Sequence, residues 1–193
     1  MRARSSAMIL LATITLGGCT TSIDGVSAPV SATAPTLRLP VRAKELSLQG
    51  TDPCALLTPA QLDQLKENGA PRRLPIDLER DGPTCAFDVD AAAPTYTYYL
   101  ETVLTADVGE WLTGAHHKTS MTQQPVEVPG FPALVNFAPS AGIQDCETLV
   151  GVADGETLRA EMAADDKSFT QPQLCDMATT VAKMAVETLE TVK

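Results

Sequence analysis

The chain is 193 residues long and carries 24 acidic against 14 Lys and Arg side chains, a formal net charge of -10. Beyond residue 50 the imbalance is 22 against 9, which argues against nucleic acid and anionic lipid surfaces as partners of the folded part, since both reward clustered Lys and Arg. A diffuse negative surface serves solubility first.

Arg2 and Arg4 precede the apolar run Ala7 to Leu16, the charged-then-apolar order of a secretory leader. Ten helical residues span only about 15 Å, half of a roughly 30 Å hydrocarbon layer, so the run is too short for a permanent spanning helix. It ends in Leu16-Gly17-Gly18-Cys19, which resembles a bacterial lipobox. That resemblance implies a signal peptide over residues 1–18, cleavage before Cys19 and a diacylglyceryl group on its soft, nucleophilic sulfur. Several acyl chains, each stabilising by about 0.8 kcal/mol per buried methylene, anchor firmly where one does not. The expected address is the outer face of the cell membrane, reached through lipid on Cys19. Residues 19–50, rich in Thr, Ser, Pro, Ala and Val and without a period of 2 or 3.6, read as a flexible tether in which Arg38, Arg42 and Lys44 are solvated.

Residues 51–193 then make a single domain, long enough to bury roughly two thirds of its unfolded surface in one core. Leu57-Thr58-Pro59-Ala60-Gln61-Leu62 marks a helix start: Thr58 as N-cap, Pro59 in the first turn, Gln61 closing a capping box and Leu57 stapling onto Leu62, with Asn68-Gly69 as the stop. Cys85 to Val89 and Thr95 to Thr105 read as strands, the second placing Tyr96, Tyr98 and Leu100 on one face and Thr97, Tyr99 and Glu101 on the other. A short helix follows around Asp107 to Ala115. Phe131 to Phe137 and Glu147 to Ala153 are strands, and Asp154-Gly155 is a two-residue turn into Glu156 to Met162. The last helix runs from about Gln171 to Thr191, with Leu174, Met177, Ala178, Val181, Met184, Ala185, Leu189 and Val192 along one face. This order predicts the α+β class, an antiparallel sheet of about five strands flanked by helices.

Apart from Cys19 the cysteines are an even set, Cys54, Cys85, Cys146 and Cys175, which outside the cytosol favours two disulfides. Three connectivities are possible. Sequential pairing is preferred, closing two loops of about 30 residues, each stabilising by roughly 3 to 4 kcal/mol in the chain-entropy model. The spacing lacks the close ligand pairs of a zinc site, and adjacent His116 and His117 diverge too far to share an ion, so no metal and no cofactor is expected.

Asp52-Pro53-Cys54-Ala55-Leu56-Leu57-Thr58, Cys85, Val128-Pro129-Gly130-Phe131-Pro132-Ala133, Cys146-Glu147 and Cys175-Asp176-Met177-Ala178 resemble, in order, the actinobacterial lipoproteins grouped as domain of unknown function 3558. Phe87 stands where that family commonly carries Trp. The resemblance implies an envelope lipoprotein of unassigned activity with a Mog1/PsbP-like sandwich, and supplies no catalytic residues.

Chemistry is thinly signalled. There is no Gly-x-Ser-x-Gly elbow or phosphate-binding glycine loop, and the pairs Asp88/Asp90 and Asp165/Asp166 lack the rhythm of a calcium loop and read as solvated turns. His116 or His117 acting as base to Ser120 would make a hydrolase. Tyr99 and Trp111 together suggest an amphipathic recognition surface, half apolar and half wet. The leading expectation is a non-enzymatic envelope module binding a protein or small ligand; a lipid-anchored hydrolase and a purely structural protein are the alternatives.

Overall fold

The computed structural model describes residues 37–75, 80–139, 142 and 144–193. The expected signal peptide, the expected lipobox with Cys19, and the first part of the expected tether lie outside them. The helices are α1 (Pro59–Leu65), α2 (Glu110–Thr113) and α3 (Gln171–Val192), preceded by a 3-10 turn at Pro53–Ala55. The strands are β1 (Arg72–Arg73), β2 (Thr84–Val89), β3 (Tyr96–Val103), β4 (Thr122–Pro125), β5 (Ala133–Phe137), β6 (Asp145–Ala153) and β7 (Glu156–Ala164). They form one sheet in the order β1-β2-β3-β7-β6-β5-β4, every neighbouring pair antiparallel. The α+β expectation holds, with seven strands among the described residues rather than about five. The two additions, β1 and β4, are edge strands of two and four residues, too short for alternation to show.

Both longer helices start on capping boxes. Thr58 N–H donates to Gln61 Oε1 at 2.8 Å, and Thr170 N–H to Gln173 Oε1 at 2.9 Å. Helix α1 stops at Lys66, whose φ of 63° puts it in the left-handed region, two residues before the Asn68-Gly69 stop. Helix α3 lies on one sheet face, where Leu174, Ala178, Val181, Ala182, Ala185 and Leu189 meet Tyr98, Leu100, Val150, Leu158, Ala160 and Met162 in the main core. Each fully buried Leu or Val side chain there stabilises by roughly 1.5 to 3 kcal/mol. Val192, expected on this stripe, is exposed.

The disulfides join Cys54 to Cys85 and Cys146 to Cys175, with Cα atoms 5.1 and 5.0 Å apart, the sequential pairing. Both lie on the α3 side, one fastening the 3-10 turn to β2 and the other fastening the first turns of α3 to β6.

The tether expectation fails over its C-terminal part, since residues 37–50 already belong to the compact unit. Leu46 and Leu48 are buried, the Leu46 N–H donates to Val152 O at 2.8 Å, and the Leu48 N–H donates to Glu156 Oε2 at 2.5 Å. Arg42 is not solvated: it donates to Gly151 O at 2.8 Å and pairs with Glu45 and Asp107. Lys44 pairs with Glu190 at 2.8 Å. The Leu-Ser-Leu alternation at 46–48 is a strand-like signal only three residues long, so composition masked it.

On the second face, α2 and its leading loop cover half the sheet: Ala106, Val108 and Trp111 pack on Val103, Leu134 and Leu149. Gly151 makes this approach possible, since a Cβ there would sit 2.7 Å from Val108 Cγ1. The other half of that face is ionic.

Candidate functional site

Strand register builds the site. Across the sheet Tyr99 stands opposite Glu161, Glu161 opposite Glu147, and Glu147 opposite Asn136; in the adjoining row Glu101 stands opposite Arg159 and Arg159 opposite Leu149. Period-2 alternation sends all of these to the face away from α3. Three carboxylates thus crowd one guanidinium in the middle of the sheet.

Arg159 holds them together. Its Nη1 lies 3.1 Å from Glu101 Oε2, its Nη2 3.7 Å from Glu161 Oε2, and its Nε touches Glu147 Oε2. The last contact is ionic without a well-directed hydrogen bond, as neither atom has an aligned partner. Arg80 adds a second cation, 2.7 Å from Glu161 Oε2, with its guanidinium 4.6 Å above the Tyr99 ring. Glu101, fully buried, also accepts from the Asp81 N–H at 2.5 Å. Glu147 Oε1 accepts from Asn136 Nδ2, whose Oδ1 accepts from Gln123 at 3.0 Å. Burial pushes the Glu101 carboxyl up, and Arg159, the Asp81 amide and Arg80 only partly restrain it. Burial works against the charge on Arg159, but Glu147, Glu161 and Glu101 outweigh it and hold the guanidinium protonated beyond its ordinary range.

Above this floor is a cavity of about 530 Å³, lined also by Asp145, Trp111, His116 and Lys118. Asp145 opens β6 on the same face. Burial first, then the nearby charges of Glu161 and Glu147, push its carboxyl up to about 6, against the pull of Arg159 and Arg80. Among the described residues its carboxylate has no ion-pair or hydrogen-bond partner. At the rim the His116 ring stacks on Trp111, centroids 4.4 Å apart, with Nδ1 3.5 Å from Asp81 Oδ2.

The expected recognition pair is corrected. Trp111 is 4% exposed because α2 drops its indole onto the apolar half of the sheet, so it offers the cavity an edge and not an open surface. Tyr99 supports Arg80 from beneath. The histidines diverge: His116 faces the cavity, while exposed His117 has Nδ1 3.0 Å from Trp111 O. Among the described residues no hydrogen bond joins Ser120 to either ring. Three of the four paired acids lie outside the strands, where Asp90 binds Asn68, Asp165 binds Thr95 and Asp166 binds Ser168, but Asp88 is not in a turn: it sits within β2 and binds Arg72 of β1 and Thr97 of β3. No group of three His, Cys, Asp or Glu among the described residues is arranged to hold a metal ion.

A family model described as "Protein of unknown function (DUF3558)" matches residues 14–188. The chain belongs to DUF3558. No curated protein and no solved structure matches it. The match takes in Cys19 and all four bridged cysteines of this DUF3558 chain, and the two disulfides indicate an oxidising, extracytoplasmic location. No helix among the described residues is long and apolar enough to cross a membrane.

Of the site's residues, sequence reasoning singled out Tyr99, Trp111 and His116 but missed Arg80, Asp145, Glu147, Arg159 and Glu161. The available signal was Arg159 and Glu161 alternating with Leu158, Ala160 and Met162. That pattern marks a polar face and does not reveal that the face is covered.

Proposed function

We propose that this DUF3558 protein is an exported lipoprotein, held at the outer face of the cell membrane by lipid on Cys19, whose domain binds a small polar ligand in the Arg80–Asp145–Arg159 cavity without catalysis. A Mog1/PsbP-like relationship remains the fold we expect. The cavity carries the ligand reading. Buried ion networks rarely outperform apolar packing of similar volume, because removing each ion from water costs several kcal/mol. A sheet face needing only stability would be covered by residues like those under Trp111. Charges in that place, floored by a sheet and open above, provide what a pocket needs to orient a polar molecule.

Two measurements test this. Metabolic labelling with palmitate is expected to label the wild-type chain and not Cys19→Ala; an unlabelled wild type leaves the anchor wrong. A thermal-shift screen of small polar metabolites against the disulfide-bonded protein is expected to give stabilising hits that disappear on Asn136→Trp, which fills the cavity; hits that survive that change locate the ligand elsewhere.

A further inference from the structure

We infer that the cavity takes a small organic cation with N–H donors, an amine or amidine, its charged nitrogen beside Asp145 and its body towards the Trp111–His116 stack. This deepens the small-ligand reading and rests on it. The charge inventory of the pocket favours a cation. Arg159 contacts Glu101, Glu147 and Glu161, and Arg80 contacts Glu101 and Glu161. Both guanidiniums are committed, so an anion could reach them only by breaking buried pairs, which is costly. Three carboxylates over two guanidiniums leave one negative charge, and the Asp145 carboxylate, with no ion-pair partner among the described residues, adds another. Among the described residues that line the cavity, Lys118 is the remaining Lys or Arg, and it is exposed at the rim.

An organic cation fits better than a metal ion. The oxygens of Glu101, Glu147 and Glu161 are turned to guanidinium and amide donors, whereas calcium needs six to eight converging oxygens. A primary ammonium needs only two or three acceptors, which Asp145 and the nearby rim can supply. The aromatic stack at the mouth suits the apolar body of such a molecule.

Calorimetry on the disulfide-bonded full chain compares 1,4-diaminobutane and spermidine with tetramethylammonium, which has charge but no N–H, and with inorganic phosphate and glucose. The amines are expected to bind, tetramethylammonium more weakly, and phosphate and glucose not at all. Asp145→Asn is expected to weaken amine binding at least about tenfold. Its unfolding curve is recorded alongside, so that lost binding is not mistaken for lost fold. Binding is also expected to weaken from pH 7.5 to 5, as Asp145 takes up a proton. Glu147, Glu161 and Arg159 from the sheet and Arg80, Asp81, His116 and Lys118 from the loops also face the site. The pH dependence should largely vanish in Asp145→Asn, which leaves no carboxyl at that position to protonate. Amine binding unchanged by Asp145→Asn overturns the inference. Phosphate or glucose binding with the amines silent overturns it while leaving a small-ligand pocket standing. Silence of all five probes together with an empty metabolite screen overturns both.

Discussion

Asp145→Asn should make the protein more stable at neutral pH. Its carboxyl is pushed from an ordinary 3.8 to about 6. The folded state therefore binds the proton more tightly than the unfolded one, and stability falls as pH rises through that interval. At about 1.36 kcal/mol per unit, a shift of roughly two units sets a ceiling near 3 kcal/mol on what the charge costs above pH 6. Asp145 keeps one side towards solvent, and discounting by about half leaves ~1.5 kcal/mol. The amide has no partner to lose, since the carboxylate has none among the described residues. For a domain of this size the gain is worth about 3 to 6 °C in Tm. Urea unfolding at pH 7.5 and pH 4 checks it: the variant should be more stable at the higher pH, and most of the difference should vanish at the lower, where the wild-type side chain is protonated. A variant less stable at pH 7.5, or a gain that persists undiminished at pH 4, refutes the reasoning. A substitution that strengthens the fold while removing ligand binding is the signature of a charge kept for function.

Arg159→Met should destabilise by about 3 to 5 kcal/mol at pH 7.5, because it strands Glu101, Glu147 and Glu161 in a buried place; denaturant melts should show the deficit narrowing as pH falls and the carboxylates protonate. Gly82→Ala, whose Cβ would sit 2.1 Å from the Thr102 carbonyl oxygen, should cost at least about 1 to 3 kcal/mol, since the clash is with backbone. Leu48→Ala, at a side chain 1% exposed, should cost about 2 to 4 kcal/mol by chemical denaturation; a neutral result would return residues 41–49 to a tether. Replacing Cys146 and Cys175 together by Ala opens a loop of sequence separation 29 and should cost about 3.5 kcal/mol, read as a fall in Tm.

Much of the scaffold was legible because its signals are local. Thr58-Pro59 with Gln61 announces a helix start within four residues, Asp154-Gly155 announces a hairpin, and the Tyr96–Tyr98–Leu100 alternation separates the two faces of β3. The site was not legible because its signals are relational. Glu147 meets Glu161 only once the β6–β7 register is known, and an irregularity between Gly151 and Ala153 shifts that register by one residue from what the turn alone would dictate. Trp111 was misjudged for the same reason: a tryptophan in a four-residue helix carries no mark of what it covers.

The sheet is secured differently on its two sides. Sulfur–sulfur bonds clasp the helix side, whereas the cavity side coheres through opposed ions and a small apolar cluster under Trp111. A thiol reagent should therefore slacken the one while sparing the other, and acid should do the reverse. The pocket floor can then be softened or stiffened by the surrounding medium without releasing the helix behind it.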